Sequence, residues 1–176
     1  MKKRVKLFSS LGMAVVLCMS GFYASAADLS AAAPGDRESD ALTDAYTAFA
    51  GSSSNAHALV EGLLNGSRIT LVMPSSSGKS SAPTSFTPKT GKLGYDNVRM
   101  ALALAQAALA KAQITQPTAA QIEAVLNGGA IMAPYGPAQM PGVLALRSRG
   151  QVWGNISKAL GVKLAADGSV AAADSP

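Results

Sequence analysis

The apolar positions of this chain fall into short helical stretches separated by clusters of Gly, Pro and Ser. From Ser39 onward, Leu42, Ala45, Tyr46 and Phe49 recur at i, i+3, i+4 and i+7, which places them on one helical face. Ser39 or Asp40 can cap this helix, and Gly51 stands where it should stop. A second helix is expected over Asn55–Leu64, with Leu59, Leu63 and Leu64 on its apolar side and Gly66 as terminator. Residues 68–73 (RITLVM) read as a short extended run around Ile69. The strongest helix pattern covers Asn97–Gln113. It is rich in Ala and Leu, has Asp96 available as cap, and shows an apolar face of Val98, Leu102, Ala105 and Leu109 widened by Met100 and Leu104. So broad a face predicts burial between other helices. Thr118 and Gln121 have capping-box spacing ahead of Ile122, Val125 and Leu126, and that helix should end at Gly128-Gly129. Two last helices are expected over Val143–Arg149 and Val152–Leu160, with Gly161 as stop.

The intervening segments carry the turn chemistry. Residues 74–91 (PSSSGKSSAPTSFTPKTG) and the Gly/Pro stretch 128–141 are both expected as loops. The resulting expectation is all-α: a small bundle of about five short helices with one long Ser/Pro/Gly-rich loop. Its core should draw on Phe49, Leu63, Leu102, Leu109, Val125, Leu144, Trp153, Ile156 and Leu160. Residues 39–164 form the single domain, preceded by a flexible stretch at 27–38 and followed by a disordered tail at 165–176. No internal repeat is evident.

Charge changes meaning once the first 26 residues are set apart. Lys2, Lys3, Arg4 and Lys6 precede an apolar run from Leu11 to Met19, and Ala24-Ser25-Ala26 supplies the small-residue pattern of a signal peptidase site. Cleavage after Ala26 would start the mature chain at Ala27 and direct it to the periplasm or the medium. The apolar run is too short for a stable anchor, and the bulky Leu17 ahead of Cys18 disfavours lipidation. The full chain has a net charge of +5, but beyond residue 26 there remain 11 basic and 10 acidic residues. No polyanion footprint survives, and nucleic acid is not an expected partner. Cys18, the one cysteine, leaves with the signal, so neither disulfides nor thiolate chemistry are available.

Several residue groups imitate chemistry. Gly78-Lys79-Ser80 after an extended run resembles the end of a phosphate loop, but Met73 occupies the position of the required first glycine and prolines bar the following helix. Ser76-x-x-Lys79 and Lys89-Thr90-Gly91 have the residue types of serine acyl-enzymes, yet both lie in one low-complexity stretch. His57 and Glu61 share a helical face, as do Asp40 and Asp44, without the third ligand a metal needs. Residues 143–162 follow helix-turn-helix grammar. In that reading Asn155, Ser157 and Lys158 face bases while Arg147 and Arg149 face phosphates. No cofactor and no catalytic group are expected. The alternative to a non-catalytic binding or envelope role is a DNA-binding protein, should the N-terminus not be an export signal.

The blocks Thr90-Gly-Lys-Leu-Gly-Tyr-Asp-Asn-Val98 and Gly150-Gln-Val-Trp-Gly-Asn-Ile-Ser-Lys-Ala-Leu-Gly-Val-Lys-Leu164 resemble recurring blocks in uncharacterised small exported proteins of Gram-negative bacteria. The likeness spans Leu59–Leu164, with Val152-Trp153-Gly154 where such proteins carry Gly-Trp-Gly. It implies export and a shared helical fold, and it brings no activity with it. Candidate partner-binding residues are the aromatics of residues 74–95 and 128–141, Phe86, Tyr95 and Tyr135, and the partner would be another envelope or extracellular protein.

Overall fold

The computed structural model describes residues 34–73, 82–165 and 170–172. The expected signal, its cleavage site and Cys18 lie outside the described residues. The described residues form six helices: α1 (Pro34–Ala50), α2 (Ser53–Asn65), α3 (Tyr95–Lys111), α4 (Ala119–Asn127), α5 (Val143–Ser148) and α6 (Trp153–Leu160). Between them run β1 (Ile69–Leu71), β2 (Thr84–Phe86), β3 (Gly129–Ala133), β4 (Gly136–Met140), β5 (Val162–Leu164) and β6 (Val170–Ala172). The all-α expectation is therefore wrong. The fold is mixed, with each strand in an antiparallel two-stranded ladder: β1 with β2, β3 with β4, and β5 with β6.

Each ladder has a local reason for escaping the apolar pattern. β2 sits inside the Ser/Pro-rich stretch, but Phe86 pairs with Ile69 and both are buried, while Thr70 and Ser85 join their hydroxyls across the outer face at 2.8 Å. β3 and β4 occupy the expected 128–141 loop and reverse at Pro134-Tyr135, with Ala133 opposite Gly136. The fixed φ of Pro134 excludes the mirror-image hairpin turns. Gly136, at φ 118°, supplies the positive angle that lets the strands rejoin. β6 falls in the expected tail and pairs Val170 with Leu164.

The helices follow the pattern more closely. α1 starts at Pro34, five residues before the expected Ser39, because proline is tolerated at a first helical position that needs no N–H. α3 has no side-chain cap, and Asp96 lies within its first turn instead. Thr118 and Gln121 form the complete capping box of α4. Of the nine expected core residues, eight are buried, and Trp153 packs half-buried at the rim.

Two buried asparagines hold the chain on either side of residues 74–81. Asn55 on α2 donates from Nδ2 to the Ala50 and Val72 carbonyls at 3.0 and 3.1 Å, and accepts the Val72 amide at 3.0 Å on Oδ1. Asn127, the last residue of α4, donates to the Thr87 carbonyl at 2.9 Å and accepts the Lys89 amide at 3.3 Å. Each amide side chain thus replaces a neighbouring strand. Gly142 has no room for a side chain, since a Cβ would lie 2.6 Å from the Asn127 carbonyl carbon and 2.7 Å from Gly128 Cα.

Asn55→Ala orphans the buried Ala50 carbonyl, at about 1–3 kcal/mol, and frees the Val72 N–H and carbonyl at a smaller cost because Val72 is partly in solvent. The expected net loss is about 3 kcal/mol, which chemical denaturation of the purified protein measures directly. Tyr46 offers a pH test. Its hydroxyl donates to the Arg99 carbonyl at 3.0 Å; burial raises the phenol pKa, and the Arg99 guanidinium lowers it by less. The unfolded phenol, with a pKa of about 10, ionises before the folded one. Tyr46 therefore contributes stability in full below about pH 10 and loses it as pH climbs towards the raised folded value. Tyr46→Phe should be about 1 kcal/mol less stable at neutral pH, with the gap to the parent narrowing above pH 10 in parallel denaturant titrations.

Candidate functional site

The three aromatics expected to bind a partner have three different fates. Phe86 is buried against the core at 5 % exposure, where no partner reaches it. Tyr95 opens α3 half-buried, and its hydroxyl donates to the Gly35 carbonyl at 2.9 Å, tying α3 to the start of α1. Tyr135 stands at the tip of the β3–β4 hairpin with 90 % of its surface exposed. The structure brings together the bases of the two Gly/Pro-rich segments, through Asn127, but not their aromatics. Of the three, only Tyr135 is presented to solvent as a free anchor.

Met132, 70 % exposed, accompanies Tyr135 on the hairpin. It forms one wall of a groove of about 530 Å³ whose other side comes from Gln113, Thr115, Gln116 and Thr118. A second depression of about 510 Å³, between the end of α1, Met73 and Pro117, shares Gln116 and Thr118 with the first. None of the residues lining either one is charged. Gln121 fixes the hairpin against α4: its Nε2 donates to the Met132 carbonyl at 2.9 Å while its Oε1 accepts the Thr118 amide at 2.8 Å. Gln113, at the rim, is the one non-glycine residue with positive φ among the described residues, at 60°.

The α5–α6 pair exists, and two of its five expected readers are committed elsewhere. Ser157 is buried and donates to the Gly154 carbonyl at 2.9 Å. The Arg147 guanidinium lies 4.9 Å over the Trp153 ring and donates to the Gln151 carbonyl at 3.0 Å, while Trp153 Nε1 donates to Asn97 Oδ1 at 3.1 Å. This stack closes the turn and seats α6 on α3. Arg149, Asn155 and Lys158 remain exposed.

The open side of α1 and α2 is acidic. Asp36, Asp40 and Asp44 follow one another at four-residue intervals along α1, and His57 and Glu61 face them from α2. Sequence reasoning found Asp40 and Asp44 but missed Asp36, which lay in the expected flexible stretch. The signal was the same spacing continued one turn back, with Pro34 permitting the earlier helix start. Glu61 accepts from Ser39 Oγ at 2.9 Å and from Asn65 Nδ2 at 3.1 Å. Among the described residues, no three His, Cys, Asp or Glu converge as a metal site. Lys89-Thr90-Gly91 forms a turn in which the Lys89 ammonium donates to the Asn127 carbonyl at 2.8 Å. Gly78-Lys79-Ser80 and Ser76 lie outside the described residues.

No family model, curated protein or solved structure matches this chain. The assignment of roles therefore rests on geometry. Phe86→Ala should cost about 3–5 kcal/mol, the usual cost of emptying a buried aromatic site, whereas Tyr135→Ala should stay within about 0.5 kcal/mol of the parent. Thermal melts of the two single variants give the comparison.

Proposed function

We propose that this chain is an exported, non-catalytic binding protein that engages an envelope or extracellular partner through the β3–β4 hairpin. The observation that carries this reading is the pairing of Met132 and Tyr135, both largely exposed, beside an uncharged groove on a hairpin held rigid by Gln121. Two large apolar side chains kept in solvent contribute little to folding, and aromatic and Met side chains on a firm scaffold suit partner recognition. The uncharged lining favours a neutral segment, with backbone amides for the Gln and Thr side chains to meet. Export rests on the cationic start, apolar run and Ala24-Ser25-Ala26 site, and on the resemblance to exported Gram-negative proteins. No helix among the described residues is long and apolar enough to cross a membrane.

The DNA-binding alternative draws less support from the geometry. Of the three base readers on the second helix, Ser157 is turned inward, and of the two phosphate contacts Arg147 is held on Trp153.

One experiment tests export and binding together. A photo-crosslinking residue replaces Tyr135, or Ala120 as an exposed control on α4, and the chain is produced in a Gram-negative host. Intact mass of the product should correspond to a start at Ala27, and irradiation should give a discrete adduct from position 135 and none from position 120. A full-length cytoplasmic product overturns export. Equal labelling at both positions, or none, overturns the hairpin as the binding surface.

A further inference from the structure

The α1–α2 segment carries a strong excess of acidic side chains. Over residues 34–65 there are five acidic side chains and one basic, Arg37. Asp36, Asp40 and Asp44 all lie on the open side, and the ion pairs among the described residues, from Arg99 to Glu38 and to Asp96, involve none of them. Like charges four residues apart on a helix repel by about 0.2–0.5 kcal/mol per pair. Asp36 gains from the N-terminal end of the α1 dipole, but Asp40 and Asp44 lie beyond the first turn, where that effect has faded.

These carboxylates rim two adjoining depressions, of about 560 and 390 Å³, that share Asp40 and His57. Ser53 and Ser54 close one end and Glu61 and Asn65 the other. Between Asp40 and Asp44 lies Thr43, only 7 % exposed, whose hydroxyl is buried without a hydrogen-bond partner. A buried unpaired hydroxyl is costly, and this one lines the acidic groove itself.

From this arrangement the geometry points to a binding site for a linear polyamine along the α1–α2 groove. Four helical residues advance about 6 Å, which is close to the spacing of two ammonium groups joined by four methylenes. An extended polycation thus meets Asp36, Asp40 and Asp44 in turn, which a single metal ion does not, because the carboxylates never converge. Glu61 extends the acidic rim from α2, and its carboxylate is already oriented by Ser39 and Asn65. The Thr43 hydroxyl, occluded in the empty groove, turns towards the ligand and offers its lone pairs to an ammonium N–H. The methylene stretches lie over the stems of the two helices. This site is independent of the hairpin surface.

Calorimetric titration of the protein with spermidine at moderate salt tests the proposal, with butylamine, magnesium and a trilysine peptide as comparison ligands. Expected are saturable spermidine binding, at least tenfold weaker binding of butylamine and magnesium, and at least a tenfold loss of spermidine affinity in Asp40→Asn/Asp44→Asn. Thr43→Val should lower affinity about fivefold. Both aspartates are exposed, so the double variant should melt at or above the parent temperature, and spermidine should raise the melting temperature of the parent alone. Magnesium matching spermidine, trilysine binding more tightly than spermidine, or an unaltered affinity in a folded double variant would each overturn the assignment.

Discussion

Burial of α3 is the constraint on which the rest of the architecture depends. Val98, Ala101, Leu102, Leu104, Ala105, Ala107, Ala108 and Leu109 are all buried along its length, and α1, α2, α4, α5, α6 and the β5–β6 ladder pack against it. Four of those eight are alanines, which let neighbouring backbones come close, while the leucines fill the spaces between them. A helix wrapped on most sides leaves its neighbours only one inward face each. Their outward faces are therefore free to vary, and both candidate binding surfaces lie on them. The hairpin projects beyond α4, and the acidic groove lies on the far side of α1 and α2.

Between these outer pieces the chain has few apolar residues, and polar side chains take over the work of holding it. The β1–β2 ladder is only three residues long, too short to persist alone. Asn55 and Asn127 brace its two ends by giving backbone groups the partners a longer sheet would supply. Such contacts carry little net energy when made and a large penalty when lost. They therefore fix where the chain runs more than they drive it to fold.

This division explains what could be read in the sequence. The helices were legible because an apolar face repeats at 3.6 residues and because Gly66 and Gly161 end α2 and α6 where the pattern ends. The ladders were not, apart from the extended run around Ile69 that forms β1. β4 has Pro137 within it and no β-branched residue, β3 has Ile131 as its one β-branched member, and β2 presents Phe86 among Thr, Ser and Pro. The strand state of β2 comes from its pairing with β1 and from the asparagine clamps, and that of β3 and β4 from the reversal at Pro134-Tyr135, none of which the apolar spacing encodes. The same limit applied to the candidate site. An aromatic in a Gly/Pro-rich segment looks equally available at Phe86 and at Tyr135, and only the packing of β2 under the core separates them.

The charges divide by task in a way that composition hides. Three of the cations are engaged with the fold. Lys89 binds the carbonyl end of α4, Arg147 stacks on Trp153, and the Lys111 ammonium lies against Gly161, the C-cap of α6. At helix C-termini positive charge is favourable, so Lys89 and Lys111 stabilise the elements they touch. The aspartates of α1 have no comparable internal duty. Their removal would relieve repulsion instead of breaking contacts, which is the behaviour of residues kept for a ligand and not for folding. A near-neutral chain can thus present an acidic face on α1, because Lys89, Lys111 and Arg147 are occupied elsewhere while Asp36, Asp40 and Asp44 stand in solvent.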